Sequence, residues 1–200
     1  MDMEEQLDIF DEQMRAIGTA PRSRVHAEGL LHQVVHCWML DAHRPVLYFQ
    51  QRARTKADFP GFYDLACGGH IGAGECPDVA VLREVREETG LHLAPGQLTK
   101  LGQYRAPDLR LPGFFDRETS HVYLLRQSAP PFAPGGEVAR MVCVRVAEFC
   151  RMELHNACDI EVETLDGARF RTARGQWCCH DGEFAALVVP YLKREFPGLF

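Results

Sequence analysis

Residues 68–91, GGHIGAGECPDVAVLREVREETGL, are the most informative segment of this 200-residue chain. Its first part is rich in glycine, and residues 78–89 have helical spacing that ends before a glycine, the residue that commonly terminates a helix. On this helix Glu84, Glu87 and Glu88 are spaced i, i+3 and i+4, so they share one face within about one turn. The sequence therefore predicts a carboxylate-bearing helix that follows a glycine-rich loop.

Three carboxylates on one helix face repel one another and weaken an isolated helix. A hard divalent cation turns that repulsion into coordination, because Mg²⁺ prefers carboxylate oxygens, water and substrate phosphates. Val79, Leu82 and Val85 fall on a different arc and are predicted to pack on a sheet. The glycines before the helix suit a loop in which the backbone comes close to a metal or a phosphate. The helix is thus expected to present an apolar side to the core and a carboxylate side to a cleft.

The spacing across this stretch is similar at every fixed position to the Nudix box. The matching positions are Gly69, five residues, Glu75, seven residues, Arg83-Glu84-Val85, one residue, Glu87-Glu88, one residue and Gly90-Leu91. The resemblance implies an α+β Nudix fold, with a mixed β-sheet sandwiched between helices. It also implies a hydrolase that uses Mg²⁺ or Mn²⁺ to cleave a phosphoanhydride bond in a small-molecule diphosphate, with nucleoside diphosphates among the candidates.

The resemblance also assigns roles within the box. Glu84, Glu87 and Glu88 resemble the catalytic glutamates that bind the metal, and the carbonyl of Gly68 stands where the family often supplies a backbone ligand. Glu75 and Arg83 resemble the pair that braces the loop against the helix.

The general base is left open by the sequence. It is one of the box glutamates or lies outside the box, which makes Glu118 and Glu137 candidates as bases or additional ligands. The alternative is that each is an ordinary glutamate at a loop or strand edge.

The N-terminal stretch LDIFDEQMRAIGTAPRSRVHAEGLLHQVVHCWML, residues 7–40, is similar to the lead-in of the Nudix branch that includes type 1 isopentenyl-diphosphate isomerase. In that isomerase, lead-in histidines, a Cys-Gly-His at the box and a downstream Glu-X-Glu build the metal and proton-transfer site. His26, His32 and His70 stand near the corresponding places here. They are candidates for metal ligands, for substrate contacts, or for hydrogen bonding within the fold.

Two departures favour a hydrolase over an isomerase. The residue directly before the first box glycine is Gly68 where the isomerase has cysteine, and Cys67, one residue earlier on a predicted strand, is expected to face the packed interior. Around Glu118 the sequence RETSHVY is interpreted as lacking the Glu-X-Glu. The chain is therefore predicted to be an isomerase-like hydrolase. Isomerase activity and a non-catalytic diphosphate-binding regulator are the alternatives.

A few other residues have two interpretations. Arg52 follows a predicted strand and is either a bidentate phosphate contact or a solvated strand end. Phe59 and Tyr63 either stack on a nucleobase or pack in the core. Cys178-Cys179-His180 is not predicted to bind a metal, because adjacent cysteines cannot easily chelate one tetrahedral ion.

Hydropathy patterns place the remaining elements around this centre. Strands are predicted at 33–40, 46–53, 62–71, 98–105, 119–126 and 138–146, and hairpins at 7–19 and 160–173, the second with a type I′ turn at Asp166-Gly167. A helix over 182–196 is expected to kink or divide at Pro190. The predicted organisation is a hairpin lead-in (1–30), a Nudix domain (31–150) and a C-terminal hairpin and helix packed on the same domain (151–200).

Composition limits the environment and the partners. The net charge of −6 argues against binding to a nucleic-acid polymer, and no apolar run is long enough to cross a membrane. The acidic N-terminus is neither a signal nor a transit peptide, so the eight cysteines are interpreted as reduced thiols of a cytoplasmic enzyme. The role of residues 151–200 is left open between covering the cleft and forming a homodimer contact.

Overall fold

The computed structural model describes residues 4–178 and 180–199. The strands are β1 (Gln6–Phe10), β2 (Ala16–Pro21), β3 (His32–Leu40), β4 (Val46–Arg52), β5 (Tyr63–Leu65), β6 (Cys67–His70), β7 (Leu98–Arg105), β8 (Leu109–Leu111), β9 (Phe114–Asp116), β10 (Glu118–Arg126), β11 (Val138–Arg145), β12 (Asp159–Thr164) and β13 (Arg169–Ala173). The helices are α1 (Arg22–Glu28), α2 (Pro77–Thr89), α3 (Val146–His155) and α4 (Val189–Glu195), the last preceded by a π-helical turn, Phe184–Val188.

A mixed sheet of nine strands forms the centre of the molecule. Its main order is β13-β12-β11-β4-β3-β10-β7, with β5 paired to β4 and β6 paired to β3. Strands β3 and β10 run parallel, and their other pairings are antiparallel. The predicted hairpin of β3 and β4 is confirmed.

The sheet has a core on each face, because side chains alternate along its strands. On β3, Trp38 and Leu40 belong to one core, which also contains residues of α3, the π-helical turn and α4. Cys37 and Met39 belong to the other, which contains the buried face of α2. The predicted α+β sandwich of a mixed sheet between helices is confirmed.

Helix α2 has the predicted extent within one residue. It ends at Gly90, whose φ is 74° and whose substitution would place a Cβ 2.3 Å from the carbonyl oxygen of Ala133. The prediction for Val79 was wrong, because that side chain is 57% exposed. Val85 is buried as predicted, together with Ala80 and Val81, and Leu82 is partly buried against the same core.

The C-terminal region follows the predicted order with one correction. Strands β12 and β13 form the predicted hairpin and extend the central sheet. Only Gly167 of the turn has a positive φ, 90°, so the type I′ turn, which needs a positive φ at Asp166 as well, was wrong. Pro190 lies at the start of α4 and divides it from the π-helical turn, as predicted.

Several short elements were not predicted. They are helix α1, helix α3, which spans the proposed boundary at residue 150, and the two-stranded sheet of β8 and β9. None of the helices in the described ranges has the length and apolar character needed to cross a bilayer.

Candidate active site

One pocket of about 440 Å³ gathers most of the predicted site residues. It lies beside the junction of β6 and α2, and α1, β9, β10 and the segment after β13 contribute to its wall. The predicted residues that line it are Gly68, Arg83, Glu84, Glu87, Glu88, Glu118, Glu137, His26, His70 and Arg52. His32, which is completely buried, lies directly behind this wall.

Glu88 is the most deeply placed of the box glutamates. Its side chain is buried, and its Oε2 accepts hydrogen bonds from the backbone N–H of Gly68 and from Nε2 of Gln50, each at 3.0 Å. Burial raises the pKa of Glu88 to about 8. A carboxylate held in this way costs free energy to ionise unless a cation accompanies it.

Glu84 packs directly on the glycine-rich strand. A Cβ added at Gly69 would lie 2.2 Å from Cδ of Glu84, so only glycine leaves room for this carboxylate. Burial also raises the pKa of Glu84. The close approach of backbone and carboxylate explains the first glycine of the box in this chain.

Arg83 connects the loop to the helix. Its Nε donates to Oε1 of Glu75 at 3.0 Å and its Nη2 to Oε2 at 2.8 Å, while Nη2 also donates to the carbonyl of His70 at 3.0 Å. Its Nη1 donates to Glu84 at 2.6 Å and approaches Glu87 at 3.4 Å. The guanidinium therefore offsets part of the negative charge of the box.

The three box glutamates line the same pocket without converging on one point. Within residues 4–178 and 180–199, the groups of three or more side chains whose ligand atoms lie within 4.8 Å of one another all contain histidine. The box carboxylates are therefore arranged around the pocket, as for ligands that share a phosphate-bound cation with water.

The three predicted histidines form one cluster, although they come from different elements. His26 lies on α1, His32 begins β3 and His70 ends β6, and one ring nitrogen of each lies within 4.8 Å of the others. Burial lowers the pKa of all three, that of His32 to about 4. Burial therefore favours the neutral form of these imidazoles, which is the form that binds a metal.

Asp116 completes this cluster at the end of β9. Its Oδ1 lies 3.6 Å from Nε2 of His32 and 3.8 Å from Nε2 of His26. Oδ1 of Asp116 and Nε2 of His32 are both buried without a hydrogen-bond partner. Because leaving such atoms unpaired is costly, the pair fits a bound cation that would contact both.

Glu118 is not part of a Glu-X-Glu, as interpreted from the sequence, but an Asp-X-Glu stands in its place. Asp116, Arg117 and Glu118 form an Asp-X-Glu, and both carboxylates group with His32 within 4.8 Å. Only glutamate was considered at the first position. Burial raises the pKa of Glu118 to about 7, whereas the Lys56 ammonium lowers that of Glu137. Of the two proposed bases, Glu118 is thus the one suited to proton transfer near neutral pH.

Cationic side chains line the same pocket. Arg52 donates to the carbonyl of Asp58 and to Oδ2 of Asp64, with only 13% of its side chain exposed, so it is not a solvated strand end. Arg22 and Lys56 also face the pocket, paired with Asp58 and Glu137 respectively. These groups can bind phosphate oxygens.

The two cysteines near the site lie in different surroundings. Cys67 is fully buried in the core beneath α2, and burial raises the pKa of its thiol well above the usual range. The predicted burial of Cys67 is confirmed. Cys178 lines the pocket, as does His180, and Cys179 lies outside the described residues.

A second group of polar residues was not predicted. His36, Asp64, His180 and Glu183 lie at the inner end of the pocket or next to it. His32 and His36 occupy positions of equal parity on β3, so strand alternation placed them on one face. That spacing was the signal in the sequence that pointed to His36. No comparable signal identified His180 or Glu183.

Comparison with known proteins gives a consistent result. A family model for the NUDIX domain matches residues 30–164. An uncharacterised Nudix hydrolase of Clostridium acetobutylicum is 34% identical over 74% of this chain and 73% of its own. An isopentenyl-diphosphate Delta-isomerase of Streptomyces coelicolor is 32% identical over 82% of this chain and 83% of its own.

The fold is also similar to a solved structure. The crystal structure of DR0079 from Deinococcus radiodurans superimposes with a TM-score of 0.56 at 22% identity, covering 76% of this chain and 90% of the other.

Proposed function

This chain belongs to the Nudix family, and from that premise we propose that it hydrolyses a phosphoanhydride bond in a small-molecule diphosphate with the help of a divalent cation, Mg²⁺ or Mn²⁺. The observation that carries the proposal is a single pocket that combines the box carboxylates with cationic side chains. Glu84, Glu87 and Glu88 supply oxygen ligands, and Arg22 and Arg52 supply donors for phosphate. A neutral or singly charged substrate would leave these groups without a function.

A divalent cation bound at such carboxylates neutralises phosphate oxygens and polarises the phosphorus centre. The residues of the chain supply the rest of the chemistry. Arg52 is held against Asp64 and the carbonyl of Asp58, so its guanidinium is fixed in orientation before substrate arrives. Arg83 holds Glu84 in place through their hydrogen bond. Such fixed positions lower the entropy lost when the substrate binds.

The attacking water needs a base, and Glu118 and Glu88 are the candidates. Glu88 is buried and Glu118 is partly buried, both have raised pKa values, and both line the pocket. We assign the base to Glu118 in the form of the site in which no cation holds its carboxylate, because Oε2 of Glu88 already accepts two hydrogen bonds. Glu88 then serves as a ligand.

The organic part of the substrate would contact the aromatic wall of the pocket. Phe59 and Phe114 line it, and Phe114 stacks on His26 with ring centroids 4.8 Å apart. Tyr63, in contrast, is buried against Trp177 and belongs to the core. Phe59 therefore supports a nucleoside diphosphate as one substrate class.

A panel of diphosphates tests the proposal. The protein is incubated with nucleoside diphosphates, nucleoside diphosphate sugars and isoprenoid diphosphates in Mg²⁺ or Mn²⁺, and the products are identified by mass spectrometry. We expect phosphoanhydride cleavage of at least one class, abolished by chelation and restored by added cation. Tight binding without turnover across the panel would point to a diphosphate-binding regulator, and full activity after exhaustive chelation would contradict the cation requirement.

Isomerisation of isopentenyl diphosphate is the second candidate function. The cluster of His26, His32, His70, Asp116 and Glu118 favours it, because those residues resemble the set described above for the isomerase. The buried thiol of Cys67 and the presence of Gly68 at the box oppose it. Cys178 is the pocket thiol that the test must include.

Incubation with isopentenyl diphosphate in heavy water separates the two functions. We expect no deuterium-labelled dimethylallyl diphosphate, and we expect Cys67→Ser to retain hydrolysis within about threefold, since a buried thiol outside the pocket takes no part in proton transfer. Labelled product that disappears in Cys67→Ser or Cys178→Ser would establish the isomerase instead.

A further inference from the structure

Two imidazoles and a carboxylate meet at the inner end of the pocket. His36 comes from β3, Glu118 begins β10, and His180 comes from the segment that follows β13. One ring nitrogen of each histidine and one carboxylate oxygen lie within 4.8 Å of one another. The centroids of the two rings are 4.6 Å apart, with an interplanar angle of 73°.

The separation of these atoms suits ligands of a common cation. Nε2 of His36 lies 3.7 Å from Oε1 of Glu118, which is too long for a hydrogen bond. Two ligands of a tetrahedral Zn²⁺ ion lie roughly 3.3 Å apart when each is about 2.0–2.1 Å from the metal. Small side-chain adjustments would therefore bring both atoms into bonding distance.

Each imidazole is oriented by a carboxylate. Nδ1 of His36 donates to Oε2 of Glu183 at 2.7 Å, which directs Nε2 towards Glu118. His180 donates from Nε2 to Oδ1 of Asp64, also at 2.7 Å. Carboxylate–imidazole pairs of this kind hold histidines for metal binding and increase their basicity.

Glu183 is itself fixed by the core. Its side chain is 1% exposed, and it accepts hydrogen bonds from Nε1 of Trp38 at 2.8 Å and from the hydroxyl of Ser120 at 2.5 Å. Gly182 permits the turn between His180 and Glu183, because a Cβ there would lie 2.1 Å from the hydroxyl of Tyr104. These contacts fix the position of the C-terminal segment next to the site.

We propose that His36, Glu118 and His180 form a second cation site, for Zn²⁺, Mn²⁺ or Co²⁺, adjacent to the cluster of His26, His32, His70 and Asp116. Two nitrogen ligands and one oxygen favour a transition metal over Mg²⁺. Glu118 also groups with His32 and Asp116, so its carboxylate bridges the two sites. In this arrangement the C-terminal segment completes the active pocket by contributing a ligand, His180.

The competing arrangement contains no cation at this place. If both imidazoles are protonated, they form ion pairs with Glu183 and Asp64, and Glu118 faces two positive rings. The two arrangements differ in the number of cations bound per chain, a quantity that does not depend on which diphosphate is hydrolysed.

Cation stoichiometry tests the proposal on the full-length protein. Chelator-stripped protein is titrated with Co²⁺, and the bound ions are counted by native mass spectrometry and followed by visible absorption. We expect His180→Ala to bind one ion fewer than the wild type, whereas His92→Ala, a control at an exposed histidine outside the pocket, should bind the wild-type number. Glu183→Gln should weaken one site by roughly 10–100-fold, the effect expected for the partner of a ligating histidine.

The outcomes separate this site from the histidine cluster. Loss of one ion in each of the variants His32→Ala and His180→Ala supports both sites. If His180→Ala loses an ion and His32→Ala does not, the result supports the site at His180 but not a cation in the histidine cluster. Equal stoichiometry in His180→Ala and the wild type overturns the proposal, even if the protein is an active hydrolase.

Anomalous diffraction from wild-type crystals soaked in Zn²⁺ gives a result that needs no variant. We expect a peak within bonding distance of Nε2 of His36. Density for the three side chains without a peak between them overturns the proposal.

Discussion

The box helix and the histidine cluster line one pocket, but they are assembled in different ways. Glu84, Glu87 and Glu88 come from a little more than one turn of α2, so a helix of the right phase is enough to group them. His26 and Asp116, in contrast, are 90 residues apart and come together only because α1 packs against β9. A local pattern therefore specifies the first group, and the topology of the chain specifies the second.

The two regions also differ in their electrostatics. The box carboxylates have a built-in counter-ion in Arg83, which contacts Glu75, Glu84 and Glu87. The histidine cluster instead contains two buried atoms without a partner, on His32 and Asp116. We infer that the box tolerates the absence of a cation, whereas the cluster is stabilised by one.

The largest expected effect comes from removing a carboxylate of the box. Glu88→Gln should lower kcat by roughly 100-fold or more, since it removes a charged ligand of a cation that stabilises the transition state by several kcal/mol, and about 1.4 kcal/mol corresponds to tenfold in rate. Its Tm without cations should equal or exceed that of the wild type, because the buried carboxyl costs free energy to ionise. Steady-state kinetics and thermal melts check both expectations, with Glu28→Gln, on the exposed face of α1, as the matched control. Wild-type turnover in Glu88→Gln would show that the box has no role in catalysis.

The next effect concerns the histidine cluster. Asp116→Asn should raise the cation concentration needed for half-maximal thermal stabilisation at least about tenfold. Substitutions around metal ligands commonly lower metal affinity by about 10–100-fold. Without cations the variant should be as stable as the wild type, because it no longer buries an unpaired carboxylate. Melts over a Mn²⁺ series measure this, since a ligand stabilises the folded state in proportion to its affinity. Unchanged Mn²⁺ dependence would show that Asp116 does not take part in cation binding.

A smaller effect is expected at the brace of the box. Glu75→Gln should lower the free energy of unfolding by about 1–3 kcal/mol, because it removes the carboxylate that accepts two hydrogen bonds from Arg83. At roughly 2–4 °C per kcal/mol this is a measurable decrease in Tm. Asp116→Asn should show no such decrease without cations. Equal stability of Glu75→Gln and the wild type would remove the structural role assigned to this pair.

The smallest effect is a pH dependence. The pKa of Glu88 is raised to about 8 in the folded protein, above the value of the unfolded chain. The stability due to its protonated form is therefore complete at acidic pH and is lost as pH rises through about 8. In chelator, the Tm of Glu88→Gln should match that of the wild type near pH 5, about the ordinary pKa of glutamate. It should exceed the wild-type Tm increasingly as the pH rises towards about 8, the raised pKa of Glu88. A Tm difference that stays constant across this range would contradict the shift.

The sequence was sufficient for the features that depend on local spacing. The box helix, its terminating glycine and most of the central strands were predicted within one or two residues, because periodicity and turn residues determine them. Burial of Cys67 also followed from strand alternation. Family resemblance pointed to the histidines near the box, although not to how they meet.

The features that were missed depend on contacts between distant segments. His180 reaches the pocket because the chain after β13 runs beside β5, where the N–H of Cys178 donates to the carbonyl of Tyr63. Nothing in the residues around His180 encodes that path, and Cys178-Cys179-His180 was not predicted to bind a metal, because adjacent cysteines cannot easily chelate one ion. The Asp-X-Glu at Asp116 was visible in the sequence and was missed because aspartate was not considered at the first position.

Hydrolysis in water enriched in oxygen-18 shows whether water attacks phosphorus. The wild-type protein is incubated with Mg²⁺ and the best substrate of the diphosphate panel, and the phosphate-containing products are analysed by mass spectrometry. Attack of water on phosphorus predicts one oxygen-18 atom per turnover, located on a phosphate product, and no label in chelator. Unlabelled phosphate products, or rearrangement of isopentenyl diphosphate without release of phosphate, would contradict the account.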